Sequence, residues 1–162
     1  MSQSFSFSYQ TFNGPDELTN ADAALLQAAG EAIALAYAPY SGFQVGAALQ
    51  LANGSIVKGG NQENASYPAG ICAERAALAT ASSLYPGVAV TAVAIAYHNN
   101  AATGKNDLVL SPCGICRQSL LEKAHQQEAD FRLIMSSPAG NGIIANQVAD
   151  LLPFAFSGDH LQ

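Results

Sequence analysis

The chemistry in this chain is concentrated in two short stretches, Cys72-Ala73-Glu74-Arg75 and Pro112-Cys113-Gly114-Ile115-Cys116-Arg117. Of 162 residues only three are cysteine, and all three fall in these stretches. Three thiolates suffice to hold one zinc ion and leave its fourth position open. Structural zinc usually takes four protein ligands, whereas an open position marks a catalytic site. Glu74 stands two residues from the ligand Cys72, close to the metal without being bound to it. A carboxylate placed there can handle the protons of a water that the ion activates.

These residues act together only if the chain brings two helix starts to one point. Pro68 and Gly70 punctuate the chain ahead of Cys72, and the Ala/Leu-rich run that follows predicts a helix over 71–84. Ser111 as a cap and Pro112 in the first turn predict a second helix over 113–124. The C-x-x-C pair at that helix start can face one ion, and Cys72 at the other start supplies the third bond. Three thiolates overcompensate a dication, which makes zinc a weaker acid. Two helix N-termini offset this with partial positive charge and N–H donors. Arg75 is placed to hydrogen-bond a thiolate, and Arg117 is a second candidate for the same work. The alternative for Arg75 is a surface ion pair.

The rest of the chain must supply the frame. Thr19 or Asn20 caps a helix over 21–37, whose Leu25, Leu26, Ala29, Ile33 and Ala36 recur at helical spacing and read as core. A strand over 43–51, the turn Asn53-Gly54 and a strand over 55–60 read as a hairpin. The apolar run 88–97 suits a buried central strand, and 98–107 reads as a polar loop. A short extension at 108–110, strands over 130–136 and 143–145, and a short helix over 146–152 stopped by Pro153 complete the order. Near the start, Phe5, Phe7 and Tyr9 alternate with Ser4, Ser6, Ser8 and Gln10, so residues 1–13 hold an extra edge strand or a subunit-contact arm. Strands alternating with helices imply an α/β layered fold in one domain spanning 1–162.

C-A-E followed by P-C-x-x-C resembles the signature of the zinc nucleoside deaminases. Three further stretches, Pro39-Tyr40-Ser41-Gly42-Phe43 running on to Leu49, Asn61-Gln62-Glu63-Asn64-Ala65-Ser66-Tyr67, and Leu151-Leu152-Pro153-Phe154-Ala155-Phe156, narrow the resemblance to the small homotetrameric cytidine deaminases. It covers most of 37–156 and is weaker before Tyr37 and between Tyr97 and Leu110.

That resemblance implies a three-layer fold, a five-stranded mixed sheet with helices on both faces and the two metal helices side by side. It implies hydrolytic deamination of cytidine and 2′-deoxycytidine in pyrimidine salvage, with one Zn2+ per chain on Cys72, Cys113 and Cys116. Glu74 would move a proton from water to ring N3 and then to the departing amino group. Phe43 would flank the pyrimidine, the Ala73 N–H would meet its carbonyl, and the Ser111 carbonyl would receive the leaving amino group. Asn61 and Glu63 would bind the 3′-hydroxyl side of the ribose. Tyr67 and Phe156 would reach a neighbouring subunit's site in a homotetramer. Read from the residues alone, Asn61 and Asn64 serve equally well to hold a loop backbone, and Phe154 and Phe156 equally well as core.

Composition narrows the partners. Net charge is −6 with only six Lys and Arg, so the basic footprint of a nucleic-acid binder is missing. Single nucleosides fit better than a polynucleotide. No apolar run approaches the roughly 20 residues of a membrane span, and the N-terminus lacks the pattern of a signal peptide. Cysteines arranged as metal ligands need reduced thiols, which points to the cytoplasm. Charged residues make up 11% against 49% hydrophobic, a balance that favours burial of some surface against other subunits. His98, His125 and His160 sit in no motif and read as solvated. Two other readings stay open: a deaminase of another aminated nucleoside, such as the blasticidin deaminases, and a noncatalytic zinc-binding domain.

Overall fold

Six strands form one mixed sheet in the order β1-β6-β5-β4-β2-β3, with helices on both faces. The strands are β1 (Tyr9–Phe12), β2 (Phe43–Leu51), β3 (Ile56–Gly60), β4 (Val90–Asn99), β5 (Arg132–Ser136) and β6 (Gly142–Ala145). The helices are α1 (Asn20–Ala32), α2 (Ala73–Leu84) and α3 (Gly114–Gln126). The computed structural model describes residues 1–100 and 107–161.

Among the described strands, only β4 and β5 run parallel, and α3 makes the crossover between them. All other neighbours are antiparallel. Alternate residues of the strands feed two cores. Ala48, Ala92, Ala94 and Ile134 pack under α1 with Leu25, Ala28 and Ala29. Val45, Ala47, Leu49, Val93, Ile95 and Leu133 pack under α2 and α3 with Ala73, Ala77, Leu78 and Leu120. The result is three layers, with α2 and α3 together on one face.

Two glycines set how closely the helices approach. A Cβ on Gly46 would lie 2.1 Å from the Ala29 carbonyl oxygen, so α1 rests directly on β2. A Cβ on Gly59 would lie 2.5 Å from the Ala77 nitrogen and 2.6 Å from the Ala73 oxygen, so the first turns of α2 rest directly on β3.

The five-stranded sheet of the resemblance is corrected to six strands. The added member is β1, which pairs with β6 from Tyr9↔Ala145 to Phe12↔Gly142 and so satisfies an edge that would otherwise be open. Gly142 leaves room for the Phe12 ring, which is buried.

Boundaries move at three other places. The first helix keeps its cap, since Thr19 Oγ1 accepts the Asp22 N–H, but α-helix ends at Ala32 and a 3₁₀ turn follows at Ile33–Leu35. The Tyr37 N–H then bonds the Asn61 carbonyl, which draws the chain out of helix. Strand β4 runs on to Asn99 because His98 and Asn99 pair with Gln44 and Phe43. Of the loop expected over 98–107, residues 101–106 lie outside the described residues. The expected helix over 146–152 is only a 3₁₀ turn, Ala149–Leu151.

Candidate active site

Cys72 is the N-cap of α2 and Cys113 the N-cap of α3, and Cys116 lies in the first turn of α3. Because α2 and α3 share a face of the sheet, these two starts meet. The Cys72 and Cys113 sulfurs are 3.7 Å apart and those of Cys113 and Cys116 3.4 Å. All three sulfurs lie within 4.8 Å of one another. Zinc at about 2.3 Å from each sulfur of a tetrahedral site requires sulfurs roughly 3.8 Å apart, so the spacing fits. It does not fit a disulfide, whose sulfurs bond at about 2.05 Å, and the cysteines are free.

The chemistry of the donor set points the same way. Hydrogen bonding from Cys116 is the main force pulling Cys72 down to about 6, against burial and the neighbouring Glu74 charge. Cys116 is pushed up, first by its bond to Cys72 and then by burial. The two directions oppose each other because charge on one sulfur disfavours charge on the next. A dication in the cluster is what allows all three sulfurs to ionise together.

Glu74 lies in the first turn of α2 and is only 4% exposed. Burial pushes its carboxyl up, while its own N–H, the Cys116 thiol and the Arg75 charge pull it back. It lines a cavity of about 210 Å³ together with Phe43, Val45, Asn61, Cys72, Ala73, Leu110, Ser111 and Cys113. Seven residues singled out from sequence thus meet in one small cavity, and Cys116 is buried beside them. The Ala73 N–H, at the first position of α2, has no helical partner and is available to a ligand.

Asn61 is fixed by the strand beside it. Its Oδ1 accepts the Val45 N–H at 2.8 Å and its Nδ2 donates to the Phe43 carbonyl at 3.0 Å. One amide hydrogen is left over. Glu63 holds the preceding loop, accepting the Tyr40 N–H at 2.8 Å, the Ser41 N–H at 3.3 Å and the Ser41 hydroxyl at 2.5 Å. These bonds, led by that of the hydroxyl, hold its carboxyl below the usual glutamate range. Both residues therefore organise loop backbone, and both face a second depression of about 400 Å³ with Tyr67, Ile71, Cys72, Arg75 and Ile115. Asn61 and Cys72 border both spaces.

Phe156 lies apart from these, over the groove between α2 and α3, with its carbonyl accepting Gln118 Nε2 and its ring stacked on His160. Tyr67 is 77% exposed and Phe156 57%. Arg75 borders both the Phe156 groove and the Glu63 depression. Among the described residues it makes no hydrogen bond to a thiolate, and acts on Cys72 and Glu74 by charge alone. Arg117 bonds the Pro112 and Leu151 carbonyls at 2.9 and 3.1 Å, which anchors the C-terminal segment rather than a sulfur.

Residues 19–128 match a model of the family described as "Cytidine and deoxycytidylate deaminase zinc-binding region". This chain belongs to that deaminase family. A cytidine deaminase of Halalkalibacterium halodurans is 40% identical over 126 residues, covering 78% of this chain and 86% of the relative. One from Mycobacterium tuberculosis is 37% identical over 133 residues, covering 82% and 87%. The crystal structure of cytidine deaminase from Burkholderia pseudomallei superposes with a TM-score of 0.70 at 38% identity, across 86% of this chain and 100% of that one. As a member of the zinc-binding deaminase family, the chain carries in Cys72, Cys113 and Cys116 a donor set that fits one zinc ion.

Three contributors to the deaminase cavity were not foreseen. Val45 and Leu110 are wall residues, and Tyr97 stacks behind Phe43 at 5.1 Å between ring centroids. A run such as Val88–Tyr97 signals a buried strand without saying which of its residues will lie behind the cavity.

Proposed function

We propose that this chain hydrolyses cytidine and 2′-deoxycytidine to uridine and 2′-deoxyuridine, releasing ammonia, in pyrimidine salvage. The observation that carries the reading is the cavity in which Glu74 and the three-sulfur cluster share walls with Phe43, Asn61, Ala73 and Ser111. A zinc ion held by Cys72, Cys113 and Cys116 supplies Lewis acidity and a water made acidic enough to attack at neutral pH.

The protein's own groups do the rest. Glu74, buried and with a raised carboxyl pKa, takes a proton from the attacking water. It passes that proton to ring N3, which makes C4 more electrophilic. After attack, Glu74 takes the remaining proton of the new C4 hydroxyl and delivers it to the amino nitrogen; the C4–N bond breaks, ammonia leaves and the oxygen becomes the C4 carbonyl. Phe43 covers one face of the ring, the Ala73 N–H donates to the base carbonyl, and the Ser111 carbonyl accepts from the amino group. Asn61 offers its spare amide hydrogen and Glu63 its spare lone pair to the 3′-hydroxyl. Arg75 tempers the negative charge of the sulfurs.

The functional unit in this reading is one domain, 1–162, assembled as a homotetramer. Support comes from exposed aromatic and aliphatic groups that run on from one another: Tyr40 against Tyr67, Tyr67 with Ile71 and Ile115 around the Glu63 depression, and Ile71 with Phe156 at the groove between α2 and α3. Such a patch is unusual for a monomer's surface. Tyr67 and Phe156 would then complete a neighbour's site. The free thiols suit a reducing cytoplasm, and no described helix is long and apolar enough to cross a membrane. A panel of aminopyrimidine nucleosides, scored by ammonia release, tests the substrate. Cytidine and 2′-deoxycytidine should lead it; turnover of another aminated nucleoside with none of cytidine would overturn the assignment.

A further inference from the structure

The cavity has two walls that no regular element joins. One is Phe43, at the first position of β2. The other is the irregular segment 108–111, which carries Leu110 and Ser111 into Pro112 and the metal helix. Tyr97 touches both. Its ring stacks on Phe43 with centroids 5.1 Å apart and planes 22° from parallel. Its hydroxyl donates to the Leu108 carbonyl at 2.8 Å. The register explains the reach: Tyr97 sits opposite Val45 and diagonal to Phe43 on the same face of the sheet.

The segment has other ties. Asn141 Nδ2 donates to the Asp107 carbonyl at 3.1 Å, and the Leu110 N–H to the Ser136 carbonyl at 3.2 Å. These lead to β5 and the β5–β6 turn. Among the described residues, the Tyr97 tie is the one whose side chain also touches Phe43 directly.

We propose that Tyr97 is a positioning residue that sets the gap between Phe43 and the Ser111 carbonyl, and thereby the discrimination between a 4-amino and a 4-oxo pyrimidine. What enters the slot rests on the function proposed above. The physical argument is one of tolerance. A carbonyl held at a fixed distance from the ring face accepts from an amino group and opposes a ring carbonyl. A carbonyl free to shift loses both effects.

The test compares wild type with Tyr97→Phe, which keeps the stack and removes the tie, and Tyr97→Leu, which removes both. Crystal structures of wild type and Tyr97→Phe should show the Phe43-to-Ser111 separation widened in the variant, with the cysteine sulfurs unmoved and zinc content equal. Competition kinetics should show the ratio of uridine Ki to cytidine KM falling by about 2–10-fold in Tyr97→Phe, the loss expected of one net hydrogen bond. Tyr97→Leu should fall further. An unchanged separation overturns the inference whatever the kinetics show, and an unchanged ratio with a widened gap overturns the link to discrimination. If wild type itself leaves cytidine untouched, the proposed function fails, and the measured separation still decides the role of Tyr97.

Discussion

The sulfur of Cys72, at the N-cap of α2, lies 3.7 Å from the sulfur of Cys113, at the N-cap of α3. Two helices that start at one point bring their unpaired N–H groups and partial positive charge to the same cluster of thiols. Removing one sulfur leaves the ion two ligands and the helix starts without their counter-charge. Cys113→Ala should therefore lose bound zinc and turnover together. Zinc per chain by atomic emission checks the first, and cytidine loss by absorbance the second; zinc retained at the wild-type ratio would contradict the ligand assignment.

Gly59 controls how α2 sits. Adding a Cβ there places it 2.5 Å from the Ala77 nitrogen and 2.6 Å from the Ala73 oxygen, both backbone atoms that cannot swing aside. Gly59→Ala should destabilise the fold by about 1–3 kcal/mol, as overpacking does. It should also weaken zinc binding, because the displaced turn carries Cys72 and Glu74. Urea denaturation with and without a chelator measures both effects. A variant of wild-type stability and zinc affinity would show that the contact relaxes freely.

Glu63 accepts three donors from Tyr40 and Ser41, which hold its carboxyl below the usual glutamate range. A group with a depressed folded pKa contributes stability above its unfolded pKa and loses it as pH falls through the folded value. The gap in denaturation midpoint between wild type and Glu63→Gln should thus stay constant from neutral pH down to the ordinary glutamate range. It should close only below that range. Measured at neutral pH, the variant should also raise KM for cytidine by about 10-fold with a smaller effect on kcat, as loss of one charge-assisted bond implies.

Asp22 is buried at the start of α1 and meets Arg132 of β5 at 2.6 Å. The approach is off-line for a hydrogen bond, so charge rather than alignment holds the pair. Thr19 Oγ1 donates to the other carboxylate oxygen at 2.8 Å. Asp22→Ala should cost about 2–3 kcal/mol, since it strands a partly buried guanidinium and removes a bond to a charged group. This pair lies on the α1 face, opposite α2 and α3, so kcat should not change. A large fall in kcat at full zinc content would show coupling across the sheet that the packing does not provide.

How much of this was legible in the residues depends on how local each signal is. Cys72, Glu74, Cys113 and Cys116 announce themselves, because Pro68, Gly70, Ser111 and Pro112 mark the helix starts within a few positions. The hairpin at Asn53-Gly54 is equally local. The Ser/aromatic alternation marks an edge strand within 1–13, and β1 pairs there over Tyr9–Phe12; its partner β6, 130 or more residues later, is not a local signal, and the five strands of the resemblance leave β1 out of the count. Tyr97 escaped notice because its contact with Phe43 depends on the register of β2 against β4. Arg117 was read as a partner for sulfur on proximity in sequence, yet the Leu151 carbonyl, far along the chain, takes its guanidinium.

The central claim is that Glu74 moves protons without holding the metal. The most direct measurement is zinc per chain and cytidine turnover on the same preparation of Glu74→Ala. One zinc per chain with turnover lowered by about 10²–10⁴-fold or more is the predicted result. Zinc lost with the side chain, or turnover kept without it, would contradict the account.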